Sequence, residues 1–375
     1  MNTQQNNHWV TGAWLAIVLG AGLAARFWIS TFGHNFDLES YRLVVGIVEQ
    51  GKNVYANTDR YNYGPVWFNV LHVLDLLAAH NPAVFRWLLI GFLSAADVGI
   101  SYVLWRRFGR LAATLFFLNP ISIIITGFHN QFDNVAILTG LSAVLLFGDD
   151  FEKPVDRRKF CGLLVLGLSL MTKHVLFAFP LWLAVKQRGL LQKMVILAVP
   201  TAVFLAGFLP YWAGGHAGIV ENVFHYHSMN TAHFYNFFMP AGTNYFLSAG
   251  EVWFVFLILF AFLCRPRNGF ESLLLYTGVL VAASPATTNQ YLAIPAALMS
   301  VFPSLLFLGY AALATFQLCA DGNGLHLLKH WHGRYDDLAI YGLVCALLWL
   351  FWRRQIVRAL QFLGQEINLQ FARKK

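Results

Sequence analysis

Charge is what this sequence has least of: Lys, Arg, Asp and Glu make up 12% of its 375 residues, roughly half the share of an average soluble domain. With 58% of the chain hydrophobic, that scarcity excludes an ordinary water-facing surface. Period-two alternation is also missing, and the apolar runs are too long for barrel strands, which excludes a transmembrane β-barrel. The four cysteines, Cys161, Cys264, Cys319 and Cys345, include no close pair and no CxxC spacing. They read as packing residues and carry no redox or zinc signal. No Gly-rich phosphate loop, internal repeat, low-complexity tract or soluble domain is present. The first nine residues lack a basic n-region, and the run after them has no clear small-residue cleavage site, so that run reads as a retained helix.

What is present is a series of apolar runs from Ala13 to Phe351. They predict an all-α polytopic membrane protein, one integral domain over 1–375, with about 10–12 transmembrane or half-spanning helices. The predicted runs are 9–31, 84–105, 111–127, 135–147, 161–172, 175–185, 194–212, 245–263, 273–283, 291–299, 304–319 and 338–352. The net charge of +8 sits in clusters between these runs, at Arg106–Arg107–Arg110, Arg157–Arg158–Lys159, Lys186–Arg188–Lys193, Arg265–Arg267 and Arg353–Arg354. This is the positive-inside pattern of membrane topology, not a nucleic-acid footprint. Both termini are expected inside, and the basic tail 353–375, with Ile356, Leu360, Leu363 and Ile367 on one face, is expected to lie along the inner surface.

The acids gather elsewhere, in an outer loop over 32–83. Leu38, Tyr41, Val45 and Val48 recur at helical spacing beside Glu39, Arg42 and Glu49, which predicts an amphipathic helix in the interface, ended by Gly51. A second such helix begins at Pro65, a favoured first helical position. Asp37 and Glu39 are the candidate catalytic pair, since a carboxylate near dry surroundings has a tunable pKa. The structural alternative is that Asp37 caps the helix while Glu39 pairs with Arg42 at i, i+3.

Further polar clusters fall on the same side. Lys173–His174 joins two runs of about a dozen residues, each rising only about 18 Å against a hydrocarbon core of roughly 30 Å. Lys173 is therefore expected to dip below the outer surface as a phosphate anchor, with a snorkelling lysine as the alternative. His129–Asn130–Gln131 is a candidate for phosphate or sugar hydroxyls, with a hydrated turn as the alternative. The loop 213–244 carries His216, His225, His227 and His233; with Glu221 as its acid, substrate contact is favoured over a metal. Thr287–Thr288–Asn289–Gln290 forms one more outer turn.

Phe36–Asp37–Leu38–Glu39–Ser40–Tyr41, Gly51–Lys52–Asn53–Val54–Tyr55 and Arg60–Tyr61–Asn62–Tyr63–Gly64–Pro65 together resemble the first luminal loop of GT-C fold glycosyltransferases, notably the GPI mannosyltransferase I type and related bacterial membrane mannosyltransferases. That family shows D-x-D, G-x-P-Y and Y-x-Y-x-P in this order; here Glu39 stands for the second aspartate and Val54 for the proline. Asn119–Pro120 resembles a further landmark, and His129–Asn130–Gln131–Phe132–Asp133–Asn134 is similar to the outer H-x-Q-[FY]-x-N turn of asparagine-linked-glycan glucosyltransferases. The likeness covers about residues 35–135.

The resemblance implies an inverting transferase on the periplasmic face of a bacterial inner membrane, or the luminal face of the ER. It implies a polyprenyl-phosphate sugar as donor, mannose before glucose, and a lipid-linked or glycan acceptor. Asp37 would take the acceptor proton, with Glu39 beside it. The donor phosphate would meet Lys173, His174, Arg60, His129 and Gln290. The substrates would meet Arg42, Tyr61, Tyr63, Gln131, Asp133, His225 and His227. No cofactor is required, and a divalent metal is not favoured. The competing class is a polytopic transporter or lipid flippase, which also wants broken helices and buried polar residues. Against it stand the lack of repeat halves and the gathering of polar clusters on one face.

Overall fold

The structure, a computed structural model, describes residues 3–226, 248–286, 288–320, 324–327 and 338–353. Among these residues every regular element is helical. The first long helix, α1 (Thr3–Ser30), delivers the chain to the polar loop. There α2 (Asp37–Glu49), the single turn α3 (Val54–Asn57) and α4 (Pro65–Leu77) lie in succession. Asn81 caps the 27-residue helix α5 (Pro82–Phe108), accepting from the Ala83 and Val84 N–H groups. At 1.5 Å per residue α5 is about 40 Å long, enough to cross a bilayer.

The predicted helix over 111–127 is broken. α6 (Arg110–Phe117) stops, Asn119 caps a new start at Pro120, and α7 (Pro120–Ile124) runs into a π-helical turn (Ile125–His129) bent 44° from α6. Proline removes a donor and clashes with the preceding turn, which explains the break. α8 (Asp133–Phe147) and α9 (Arg157–Thr172) pack together, followed by a 3₁₀ turn (His174–Leu176) and the short α10 (Phe179–Ala184).

The expected helix over 194–212 and the loop after it are also revised. α11 (Leu190–Ala206) ends at Gly207, and the chain turns 87° into α12 (Leu209–Ile219) and a π-helical turn (Val220–Phe224), so 213–224 is helix. Beyond lie α13 (Ala249–Leu263), α14 (Gly269–Ala282), a 3₁₀ turn (Asn289–Ala293), α15 (Ala296–Val301), α16 (Leu305–Ala320) and α17 (Leu338–Arg353). Of the histidine loop, His227 and His233 lie outside the described residues, as does the tail from 354 onward.

Two described helices, Gly12–Ser30 and Pro82–Phe108, are long and apolar enough to span a membrane, and each bent pair adds a third and fourth candidate. Six further described apolar helices have 10–17 residues, and of the short predicted runs 273–283 is one of these (α14), whereas 175–185 and 291–299 are each a 3₁₀ turn followed by a six-residue helix. Large apolar side chains face outward from several of these helices: Ile17, Trp87, Leu190, Leu259 and Leu305 are all more than half exposed. Water would oppose such a surface, and lipid accepts it.

The apolar interior is in two parts. The larger is built from α5 to α10, α13 to α17 and the turns between them. The smaller lies under the polar loop, where Leu38, Tyr41, Val45, Tyr55, Trp67 and Leu71 meet Phe132 and Phe208. This second core fixes α2 and α4 against the bundle, and at 13 residues each is shorter than a spanning helix.

Candidate active site

The site begins at the entry to α2. Asn35 Oδ1 accepts from the Asp37 N–H, so the Asn35 amide nitrogen must face the other way, where it meets His129 Nδ1 at 2.9 Å. An amide NH₂ only donates, so Nδ1 accepts and the ring proton of His129 sits on Nε2. Asp37 is the first residue of α2 and its carboxylate does not cap the helix, for the preceding Phe36 is itself helical and no side-chain cap forms. The capping alternative is thereby removed. So is the Glu39–Arg42 pair: both side chains are exposed, and neither joins an ion pair among the described residues.

The carboxylate of Asp37 instead accepts from Gln131 Nε2. Gln131 is placed by the π-helical turn, whose extra residue per turn ejects a backbone carbonyl from the α pattern. That turn closes on Asn130, held in the left-handed region at φ 57° with its side-chain amide donating to Thr126 O and Gly127 O. Asparagine tolerates this conformation where most side chains would be strained. The stretch 129–133 is wholly buried, an unusual place for so many polar groups.

On the other side of Gln131 comes Lys173, which follows α9 in extended conformation. Its Nζ lies 2.7 Å from Asp133 Oδ2 and 3.2 Å from Gln131 Oε1, with both charged side chains almost fully buried. The ammonium is also 4.7 Å from the centre of the Phe132 ring and 5.2 Å from that of Tyr63. Cation–π contacts of this kind stabilise a desolvated cation by about 2 kcal/mol. Phe132 is in turn stacked on Trp67 at 3.8 Å, so the cation rests on a rigid aromatic platform. The lysine is not the mobile, unpaired anchor that the short helices suggest; it is already held by a carboxylate.

The second half of the loop builds the wall. Tyr61 is buried, its hydroxyl donating to Gly64 O at 2.6 Å and accepting from the Phe68 N–H at 3.1 Å. It braces the turn into α4, which corrects its assignment as a substrate contact. Gly64 lies so close to the end of α9 that a Cβ there would overlap the Met171 carbonyl. The turn that carries Tyr63 is thus pressed against the segment that carries Lys173. Arg60 stacks on Phe36 at 3.8 Å and donates from Nε to Ser40 Oγ at 3.1 Å, one turn from Asp37, leaving Nη2 buried without a partner among the described residues. A buried guanidinium N–H with no acceptor is suited to an anion.

No family model matches this chain, and no curated protein does. Among solved structures it is similar to the crystal structure of ArnT from Cupriavidus metallidurans in the apo state, with a TM-score of 0.48 and 16% identity, covering 90% of this chain and 77% of that one. At that identity and score the likeness lends no weight to a substrate or a mechanism.

Burial raises the Asp37 carboxyl above its ordinary value, while Asn35, the Lys173 charge and Gln131 act in the opposite direction. A carboxylate raised in this way is a better proton acceptor at neutral pH than an ordinary surface one. Asp37 and Glu39 do not form a chelate: residues two apart on a helix do not face each other, and Glu39 points to solvent. A convergent metal-type set does occur among the described residues, Glu49, Asp75 and His80. It lies at the far ends of α2 and α4, where His80 Nδ1 is 2.7 Å from Asp75 and 2.8 Å from Glu49 in an exposed ion-pair cluster.

Other expected site residues are dispersed. His174 turns its ring toward Phe204 of α11, and Arg42 and His225 are exposed. Gln290 is half-buried in the 3₁₀ turn Asn289–Ala293, which packs on the turn holding His129. A cleft of about 570 Å³ between α3 and α12 is lined by Asn57, Asp59, His216 and Asn222, and the Asp37 cluster takes no part in it.

Sequence reasoning missed Asp97. This residue, in the middle of α5, is buried with Arg26 of α1, whose Nε and Nη2 donate to Asp97 Oδ2 at 3.1 and 2.9 Å. Thr126 and Asn134 donate to the same carboxylate, and Asn134 also holds Leu93 O. The network therefore ties α1 and α5 to both ends of the turn that carries Gln131. The signal was available: Arg26 is the one charge in the run 9–31 and Asp97 the one acid in the run 84–105, where the other charge, Arg86, lies near the end, and charges at such depth seek one another.

Proposed function

We propose that this chain is an inverting membrane glycosyltransferase, moving a hexose from a polyprenyl-phosphate donor to a lipid-linked or glycan acceptor at the outer or luminal face. Mannose is favoured over glucose, on the strength of the loop motifs. One observation carries the reading. A carboxylate with raised proton affinity and a buried lysine are joined through a single glutamine at the head of α2, above an apolar second core.

In the reaction Asp37 takes the proton of the acceptor hydroxyl as its oxygen forms a bond to the anomeric carbon from one face. The bond from that carbon to the phosphate oxygen breaks on the opposite face, and the electron pair leaves with the polyprenyl phosphate. Negative charge grows on that phosphate, and Lys173 and the unpartnered Nη2 of Arg60 are the cations that stabilise it. Interactions that strengthen as the leaving group gains charge raise turnover more than donor affinity.

The test is transfer by purified protein supplied with a set of polyprenyl-phosphate hexoses, nucleotide sugars serving as controls. Release of polyprenyl phosphate coupled to glycosylation of an acceptor is expected. Movement of intact sugar-lipid across liposomes without cleavage would replace this reading with the transporter one.

A further inference from the structure

Gln131 carries a second consequence, which rests on the transferase reading of the same site. An ammonium can only donate, so the contact between Lys173 Nζ and Gln131 fixes Oε1 on the lysine side of the amide. The NH₂ group must then face Asp37, and the oxygen it reaches must accept. A protonated carboxyl presenting its O–H to that NH₂ would oppose donor to donor. The amide is therefore a one-way link from the cation to the base.

We infer that Gln131 is a positioning residue which transmits the charge of Lys173 to Asp37, holding the base ionised and oriented for the acceptor hydroxyl. Asn35 on the other flank also favours the carboxylate, but its amide is committed to the Asp37 N–H and to His129, so it forms no link to Lys173. The groups that act on Asp37 are Asn35 at the entry to α2, Lys173 after α9, Gln131, Asp133 from α8, Tyr63 from the loop before α4 and Tyr41 from α2 itself, while His129 reaches Asn35, Arg60 reaches Ser40, and Glu39 is exposed on another flank of α2. Burial and, less strongly, the Asp133 charge oppose the carboxylate, and Asn35, Lys173 and Gln131 favour it. Loss of the amide N–H removes one of the groups that keep Asp37 charged, so its proton affinity rises.

The experiment compares the wild type with Gln131→Met, which keeps shape without hydrogen bonding, and Gln131→Glu, which keeps an oxygen toward Lys173 but loses the donor. Full-length protein in detergent or nanodiscs is used, and thermal unfolding verifies that each variant is folded. In both variants the acid limb of kcat/KM is expected to move up by about one pH unit, with kcat lowered at least about tenfold at pH 6 and the donor KM within about threefold. The protonation midpoint of Asp37 is read separately, from the pH dependence of its carbodiimide modification by mass spectrometry. It should shift upward by a similar amount. An unchanged midpoint in a folded variant overturns the positioning role whether or not the wild type transfers sugar. An absence of transfer by the wild type, with the midpoint shifted as expected, overturns the transferase reading and leaves the link from Lys173 to Asp37 standing.

Discussion

Two buried carboxylates in this protein are each held by a cation, and they are finished differently. Asp97 receives Arg26, Thr126 and Asn134, while all three guanidinium nitrogens of Arg26 are used, on Asp97, Ser122, Gly22 O and Phe117 O. Asp133 receives Lys173 on one oxygen, and its other oxygen is buried with no partner among the described residues. Arg60 Nη2 has none among them either. Leaving a buried polar group unpaired costs about 1–3 kcal/mol, so a structural pair is expected to close every bond, as Arg26–Asp97 does. An incomplete pair beside a base is what a site that awaits a polar ligand looks like.

The comparison can be broken first at the base. Asp37→Asn removes the proton acceptor while keeping an oxygen for Gln131, and transfer should fall by at least about a hundredfold with the unfolding temperature little changed. A folded Asp37→Asn variant with wild-type turnover would remove the base assignment. Next comes the closed pair. Asp97→Asn leaves Arg26 charged, buried and uncompensated, at a stability cost of about 3–5 kcal/mol. Its readout is the unfolding midpoint in detergent, and a shift too small to resolve would show that the network does not hold the fold.

At the open pair, Lys173→Gln keeps a hydrogen-bonding group but removes the charge. Turnover should drop by at least about tenfold, on the order of 1.4 kcal/mol of transition-state stabilisation, with a smaller change in donor affinity. A donor titration with and without turnover separates the two effects. Smallest of all is Glu39→Gln, since that side chain is exposed and lies on another flank of α2 from Asp37. Its kcat/KM should stay within about threefold of wild type. A loss as large as that of Asp37→Asn would restore the acidic pair as a unit.

Much of the layout was legible in the sequence because local chemistry dictates it. Pro65 opens a helix after a residue in extended conformation, and the 3-4-3 spacing from Leu38 to Val48 gave α2 its buried face. Asp37, Gln131 and Lys173 were each singled out from residue type and place, and Asp133 through the resemblance of its turn. Their joining was not legible, because it depends on a π-helical turn and on a left-handed Asn130 that leave no periodic mark. Tyr61 was misassigned for a related reason: a tyrosine in a polar loop looks the same whether its hydroxyl meets a ligand or a carbonyl. The bends at 118–119 and 207–208 were overlooked since hydropathy continues smoothly across them.

The most direct test makes both pairs neutral and compares transfer per folded molecule. Lys173→Gln with Asp133→Asn, and Arg26→Gln with Asp97→Asn, each remove two opposite charges without leaving one stranded, so the general penalty of an unpaired buried ion is absent from both. The account predicts that the Lys173 double variant loses at least about tenfold in transfer, and that the Arg26 double variant keeps its rate within about threefold at temperatures where it is folded. If the Lys173 variant transfers sugar at the wild-type rate while the Arg26 variant does not, the catalytic and structural roles assigned to the two pairs are contradicted.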